Sequence, residues 1–64
     1  MEYLITSLNG NDRRIISRHD NLDEAMRAGK LCYEKLKCTI SCISGTVNED
    51  GKIEGKYQLY KTWF

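Results

Sequence analysis

The chain has 64 residues, 41% of them hydrophobic and 30% charged, and ten Lys and Arg against nine Asp and Glu leave a formal charge of +1. A chain this short buries only about 60% of its unfolded surface, which leaves room for one core and so one small α+β domain over residues 1–64. The balanced charge lacks the basic excess of proteins that hold nucleic acid by its phosphates, and no apolar run is long enough for a membrane span or a signal segment.

With acidic Glu2 where a signal would be basic, the expectation is a cytoplasmic protein with no membrane partner. Cys32, Cys38 and Cys42 are odd in number, so they form no closed disulfide framework and read as reduced thiols acting as small hydrophobes.

The segment Tyr3 to Leu8 is rich in β-branched and aromatic residues. Asn9-Gly10-Asn11-Asp12 follows with residues that tolerate positive φ, and strand character resumes over Arg14 to Arg18. This is a hairpin. The inward side of its first strand is open, because Tyr3 and Ile5 compete with Leu4 and Leu8 for the buried positions.

Asn21 followed three residues later by Glu24 resembles a capping box, and acidic Asp23 and Glu24 suit the positive end of a helix dipole. A helix is therefore expected from about Leu22. Leu22, Ala25, Met26, Gly29, Cys32, Tyr33 and Leu36 recur at helical spacing and form its buried face, while Asp23, Arg27, Lys30, Glu34 and Lys37 form the other. Gly29 on the buried side implies a close approach of helix backbone to sheet, and Lys35 and Lys37 complement the C-terminal end.

From Thr39 to Val47 the chain is again β-prone; Asn48-Glu49-Asp50-Gly51 is a turn, and Lys52 to about Thr62 is a last long strand. Gly45 and Gly55 interrupt these strands on either side of the turn, which predicts a bulge or a flexible hairpin tip beyond the packed sheet. The expected fold is α+β in the order β-β-α-β-β, an antiparallel sheet of two hairpins with one amphipathic helix packed on one face.

Strict alternation puts Ile15, Ser17, Ile40, Cys42, Tyr57 and Leu59 on the helix side of the sheet, and Arg14, Ile16, Arg18, Ser41, Ile43, Lys56, Gln58 and Tyr60 on the other. One helix covers one face only, so Ile16, Ile43 and Tyr60 are expected to be exposed or covered by something else. Trp63-Phe64 either packs under the helix or belongs to an interface.

Chemistry is sparse. Cys38 and Cys42 on one strand would stand about 13 Å apart, too far to share a tetrahedral metal or a disulfide, whereas Cys32 on the helix can approach Cys42. His19 with Asp20 suggests a Cys-His arrangement, but neighbours on a strand point to opposite faces, and a solvated strand-end histidine is the simpler reading. No phosphate loop, nucleophile elbow or paired-carboxylate pattern is present, so no catalytic residue, metal site or cofactor is expected.

These readings lead to a non-enzymatic protein-interaction module, self-associating as a homodimer or acting as a small inhibitor of a larger protein. Its interface would combine Ile16, Ile43, Tyr60, Trp63 and Phe64 with Arg14 and Arg18. The alternative is a nucleic-acid-binding module built on a basic stripe of Arg13, Arg14, Arg18, Lys52, Lys56 and Lys61 beside Tyr57 or Tyr60. Against that alternative stand Glu54 among the lysines and the near-zero net charge.

Overall fold

The computed structural model describes residues 2–64. Strands β1 (Glu2–Asn9) and β2 (Asp12–His19) form the first hairpin, helix α1 (Leu22–Leu36) follows, and β3 (Ile40–Val47) and β4 (Ile53–Trp63) form the second. The four strands make one antiparallel sheet in the order β2-β1-β3-β4, so the fold is the expected β-β-α-β-β arrangement. The β1–β3 ladder joins the hairpins, pairing Leu4 with Ile43, Ile5 with Cys42 and Thr6 with Ser41.

Both turns follow from their residues. Gly10 takes φ 66° between the paired Asn9 and Asp12, the left-handed conformation a two-residue hairpin loop needs at its first central position. In the second turn the Asn48 side chain accepts from the backbone N–H groups of Asp50 and Lys52, each at 3.0 Å, and Gly51 takes φ 78°.

Helix α1 starts where the sequence signals it. Asn21 is extended at φ −132° and its Oδ1 accepts from the Glu24 N–H at 2.8 Å, satisfying one orphan donor of the first turn. The helix ends at Lys37, which is left-handed at φ 52° and donates its N–H to the Tyr33 carbonyl at 2.8 Å. Ala25 and Gly29 are buried on the sheet, flanked by half-buried Leu22, Met26, Ala28, Cys32 and Tyr33; Leu36, expected on this face, is exposed instead, at the last turn.

The core beneath the helix contains Ile5, Ala25, Ile40 and Cys42, with Tyr3 and Trp63 packed against it. This settles the inward side of β1 only in part, because Leu4 and Thr6 on the opposite face are also fully buried. Their burial has its cause in the second hairpin. Strand β4 has eleven residues against eight in β3, and its pairing slips at Tyr60 and again around Gly55, which takes φ 71°. Such bulges bend a strand and increase its twist.

The consequence is visible at the tips. In a flat sheet with this register the turn after β1 and the turn after β3 would lie at opposite ends, roughly 25 Å apart. Here Gly10 to Ile15 and Asp50 to Ile53 line one cleft, so the sheet curls on the side away from the helix until its two hairpin tips face each other. A Cβ on buried Gly45 would touch Tyr57 Cβ at 3.4 Å and Ile53 Cγ2 at 3.6 Å, which shows how closely the folded hairpin packs on itself. Of the bulge or projecting tip expected at Gly45 and Gly55, the bulge forms, with the pairing slipping between Ser44 and Thr46.

Candidate interaction surfaces

The bulges redistribute the residues that alternation assigned. In β2 the pairing shifts between Ile5 and Thr6, which leaves Ile16 as the extra residue. Ser17 stays on the helix side opposite Ile5, but Ile15 pairs with Thr6 and Arg13 with Leu8, so both join the other face, and Arg14 lies opposite Ser7. In β4 the extra residue at Tyr60 puts Leu59 opposite Ile43, and Gln58 opposite Ser44 on the helix side. Tyr57 and Leu59, expected beneath the helix, are on the opposite face.

The expected interface set does not form one patch. Ile43 is on the face away from the helix, as alternation gives, but it is fully buried within the curl of the sheet. Tyr60 is on the helix side: its hydroxyl is 3.2 Å from Ser44 Oγ, and its ring centroid is 5.8 Å from that of Tyr3. Trp63 and Phe64 part company. Trp63 pairs with Ile40 and packs under α1 against Gly29, whereas Phe64 is 90% exposed. Ile16 is exposed on the outer strand β2, and Arg14 and Arg18 are each ion-paired, to Asp12 at 3.5 Å and to Glu2 at 2.6 Å.

The basic stripe is also broken up. Arg18 grips Glu2 through two hydrogen bonds, which hold the Glu2 carboxyl below the usual carboxylate range and the Arg18 guanidinium above its own. Lys61 holds its ammonium 5.5 Å from the Trp63 ring centroid on the helix side, and Lys56 is exposed on β4. Arg13 and Lys52, by contrast, line the cleft between the hairpin tips, with Arg14 at its edge.

That cleft is open to solvent, with a volume of about 990 Å³, and is lined by Leu8, Ile15, Ile53 and Tyr57 as well as the basic residues and the two turns. At its floor the Arg13 guanidinium donates to buried Thr6 Oγ1 at 2.8 Å and lies 5.1 Å from the Tyr57 ring centroid. Arg13 and Ile15 come from β2, Leu8 from β1, and Ile53 and Tyr57 from β4, brought together by the bend of the sheet. Sequence reasoning put Arg13 and Lys52 in one basic stripe beside Tyr57 or Tyr60, and the structure brings these two with Tyr57 to the cleft without Arg18, Lys56 and Lys61.

The remaining chemistry is limited. All three cysteines are free; Cys42 is buried, which pushes its thiol up from the ordinary value, while Cys32 and Cys38 are half-buried. His19 ends β2 as a half-buried residue, with Nε2 2.8 Å from Ser17 Oγ. Among the described residues no group of His, Cys, Asp and Glu is arranged to hold a metal ion, and no helix is long and apolar enough to cross a membrane.

Compared with known proteins, the chain matches no protein family, no curated sequence and no solved structure.

Proposed function

We propose that this protein is a non-enzymatic interaction module that associates with a second copy of itself through the side chains of β4 and the residue after it. The observation that supports this is a pair of exposed apolar groups towards the end of one outer strand, Leu59 at 54% and Phe64 at 90% exposure. The other outer strand, β2, exposes only Ile16 among large hydrophobics and carries Arg14 and Arg18 in ion pairs.

The contact runs through side chains rather than a continued ladder. An incoming strand needs an unbroken row of N–H and C=O groups, and the bulges at Gly55 and Tyr60 interrupt that row. A two-fold arrangement that buries Leu59 and Phe64 of each copy closes on itself and adds no further copies.

Light scattering coupled to size-exclusion chromatography, over a wide concentration range, tests this reading. Wild type is expected to move from monomer to dimer, and the pair Leu59→Ser, Phe64→Ser to weaken dimerisation by about tenfold or more while the monomer keeps its melting temperature. A wild type that stays monomeric at millimolar concentration, or a folded double variant that dimerises as well as wild type, would overturn it.

A further inference from the structure

The cleft between the hairpin tips has a feature that the association surface does not use. Arg13 is half-buried, yet no carboxylate among the described residues lies within ion-pairing distance, and its one side-chain hydrogen bond goes to a neutral hydroxyl. A guanidinium has five N–H donors in a planar fork that matches phosphate or carboxylate oxygens, so its capacity is largely unspent. Taking a cation partly out of water without a counter-ion is unfavourable unless something else compensates.

The Tyr57 ring supplies part of that compensation and fixes the guanidinium in place, 5.1 Å from its centroid. Lys52 lines the same cleft from the other hairpin tip, with Arg14 at the rim. Asp12 and Asp50 are also there, but the exposed Asp12 is tied to Arg14.

We infer that this cleft binds a nucleoside phosphate, with Arg13 and Lys52 taking the phosphate oxygens and the flat surface of Tyr57 and Arg13 taking the base. The cleft's volume of about 990 Å³ accommodates one nucleotide. An aromatic ring beside an arginine plane stacks bases of any sequence, and that combination favours a nucleoside phosphate over an isolated anion. The same chemistry comes either from a free nucleotide or from one unit of a single-stranded oligonucleotide. The small net charge of the whole chain suits a short contact of this kind rather than a long phosphate track.

The test is a titration of the isotope-labelled protein followed by amide and arginine side-chain resonances at low salt. The probes are adenosine and uridine 5′-monophosphates, a five-residue oligouridylate, inorganic phosphate and an oligoglutamate peptide. The nucleotides or the oligonucleotide should shift Gly10, Arg13, Gly51, Lys52 and Tyr57 saturably, and the shifts should weaken as salt rises. Tighter binding of the monophosphates identifies a free-nucleotide site, and tighter binding of the oligonucleotide a strand contact.

Arg13→Met should lower affinity about tenfold or more, Arg13→Lys by less, and Lys56→Ala not at all. Should Arg13→Met fail to fold, Lys52→Ala carries the comparison, since its side chain is exposed. The proposal is overturned if the cleft resonances do not move, if oligoglutamate or bare phosphate binds as tightly as the nucleotides, or if the cleft variants that fold bind as wild type does.

Discussion

The indole of Trp63 occupies the space where a side chain at Gly29 would begin: a Cβ there would lie 2.5 Å from the ring atoms Cη2 and Cζ3, and 3.1 Å from Ile5 Cδ1. The last residue of β4 is thereby locked against the middle of α1. Gly29→Ala would gain about 1 kcal/mol in helix propensity, but a contact this close forces the ring or the helix to move, at a cost of about 1–3 kcal/mol.

Gly29→Ala is therefore expected to lower the midpoint of chemical unfolding despite the better helix former. Trp63→Phe, with its shorter ring, should be less damaging in the Gly29→Ala background than in wild type. Denaturation curves of the four proteins in this cycle measure the coupling, and independent, additive effects would show that the two residues do not meet.

Tyr60 is a second point of control. Its hydroxyl bond to Ser44 predicts a loss of about 0.5–1.5 kcal/mol for Tyr60→Phe. Deleting Tyr60 is a different experiment, because it removes the extra residue of the bulge and lets Leu59 and Lys61 pair in regular alternation opposite Ile43 and Cys42, with Lys61 to Trp63 on the faces they already occupy. That variant should keep cooperative unfolding and the wild-type tryptophan emission, at a stability below that of Tyr60→Phe because it also loses the ring contact with Tyr3, and a red-shifted emission would show that the bulge is needed to seat Trp63.

Stability should fall in acid through Glu2. Its carboxyl titrates lower in the folded chain than in the unfolded one, because Arg18 donates two hydrogen bonds to the charged form. The stabilisation is present above the unfolded value and is lost as pH falls through the lowered folded value. Glu2→Gln should flatten this part of the melting temperature against pH, and added salt should flatten it in wild type. An unchanged acid limb in Glu2→Gln would assign the dependence to other carboxylates.

The thiols should separate kinetically. Cys42 is fully buried and its thiol is harder to ionise, so an aromatic disulfide reagent should react with it only through unfolding, after half-buried Cys32 and Cys38. Mass spectrometry of briefly labelled protein reads the order, and early modification of Cys42 would contradict its place in the core.

Elements and turns were legible because their signals are local: Asn21 before an acidic first turn, glycine at the tip of each hairpin, helical spacing from Leu22 to Tyr33. The faces were legible only up to the first irregularity. A single additional residue at Ile16 or Tyr60 reverses every side chain beyond it, and neither residue has a composition that marks it as a bulge. The unequal lengths of the last two strands and Gly55 were the available signs. The curl of the sheet that buries Leu4 and Ile43 leaves no local signature; a basic stripe beside Tyr57 was legible, but that Arg13 is the member held over that ring depends on how the whole sheet bends.

The strand order β2-β1-β3-β4 makes each half of the chain a contiguous hairpin, with α1 in the first half, and leaves the β1–β3 ladder as the seam between them. Cutting the short connection from Lys37 to Thr39 would divide the molecule into two peptides without breaking a strand or the helix. Each peptide would expose one face of that seam, Leu4 and Ile5 on one side, Ile43 and Cys42 on the other. Mixed together, the peptides should reassemble by completing the ladder, which makes this fold a candidate for fragment complementation.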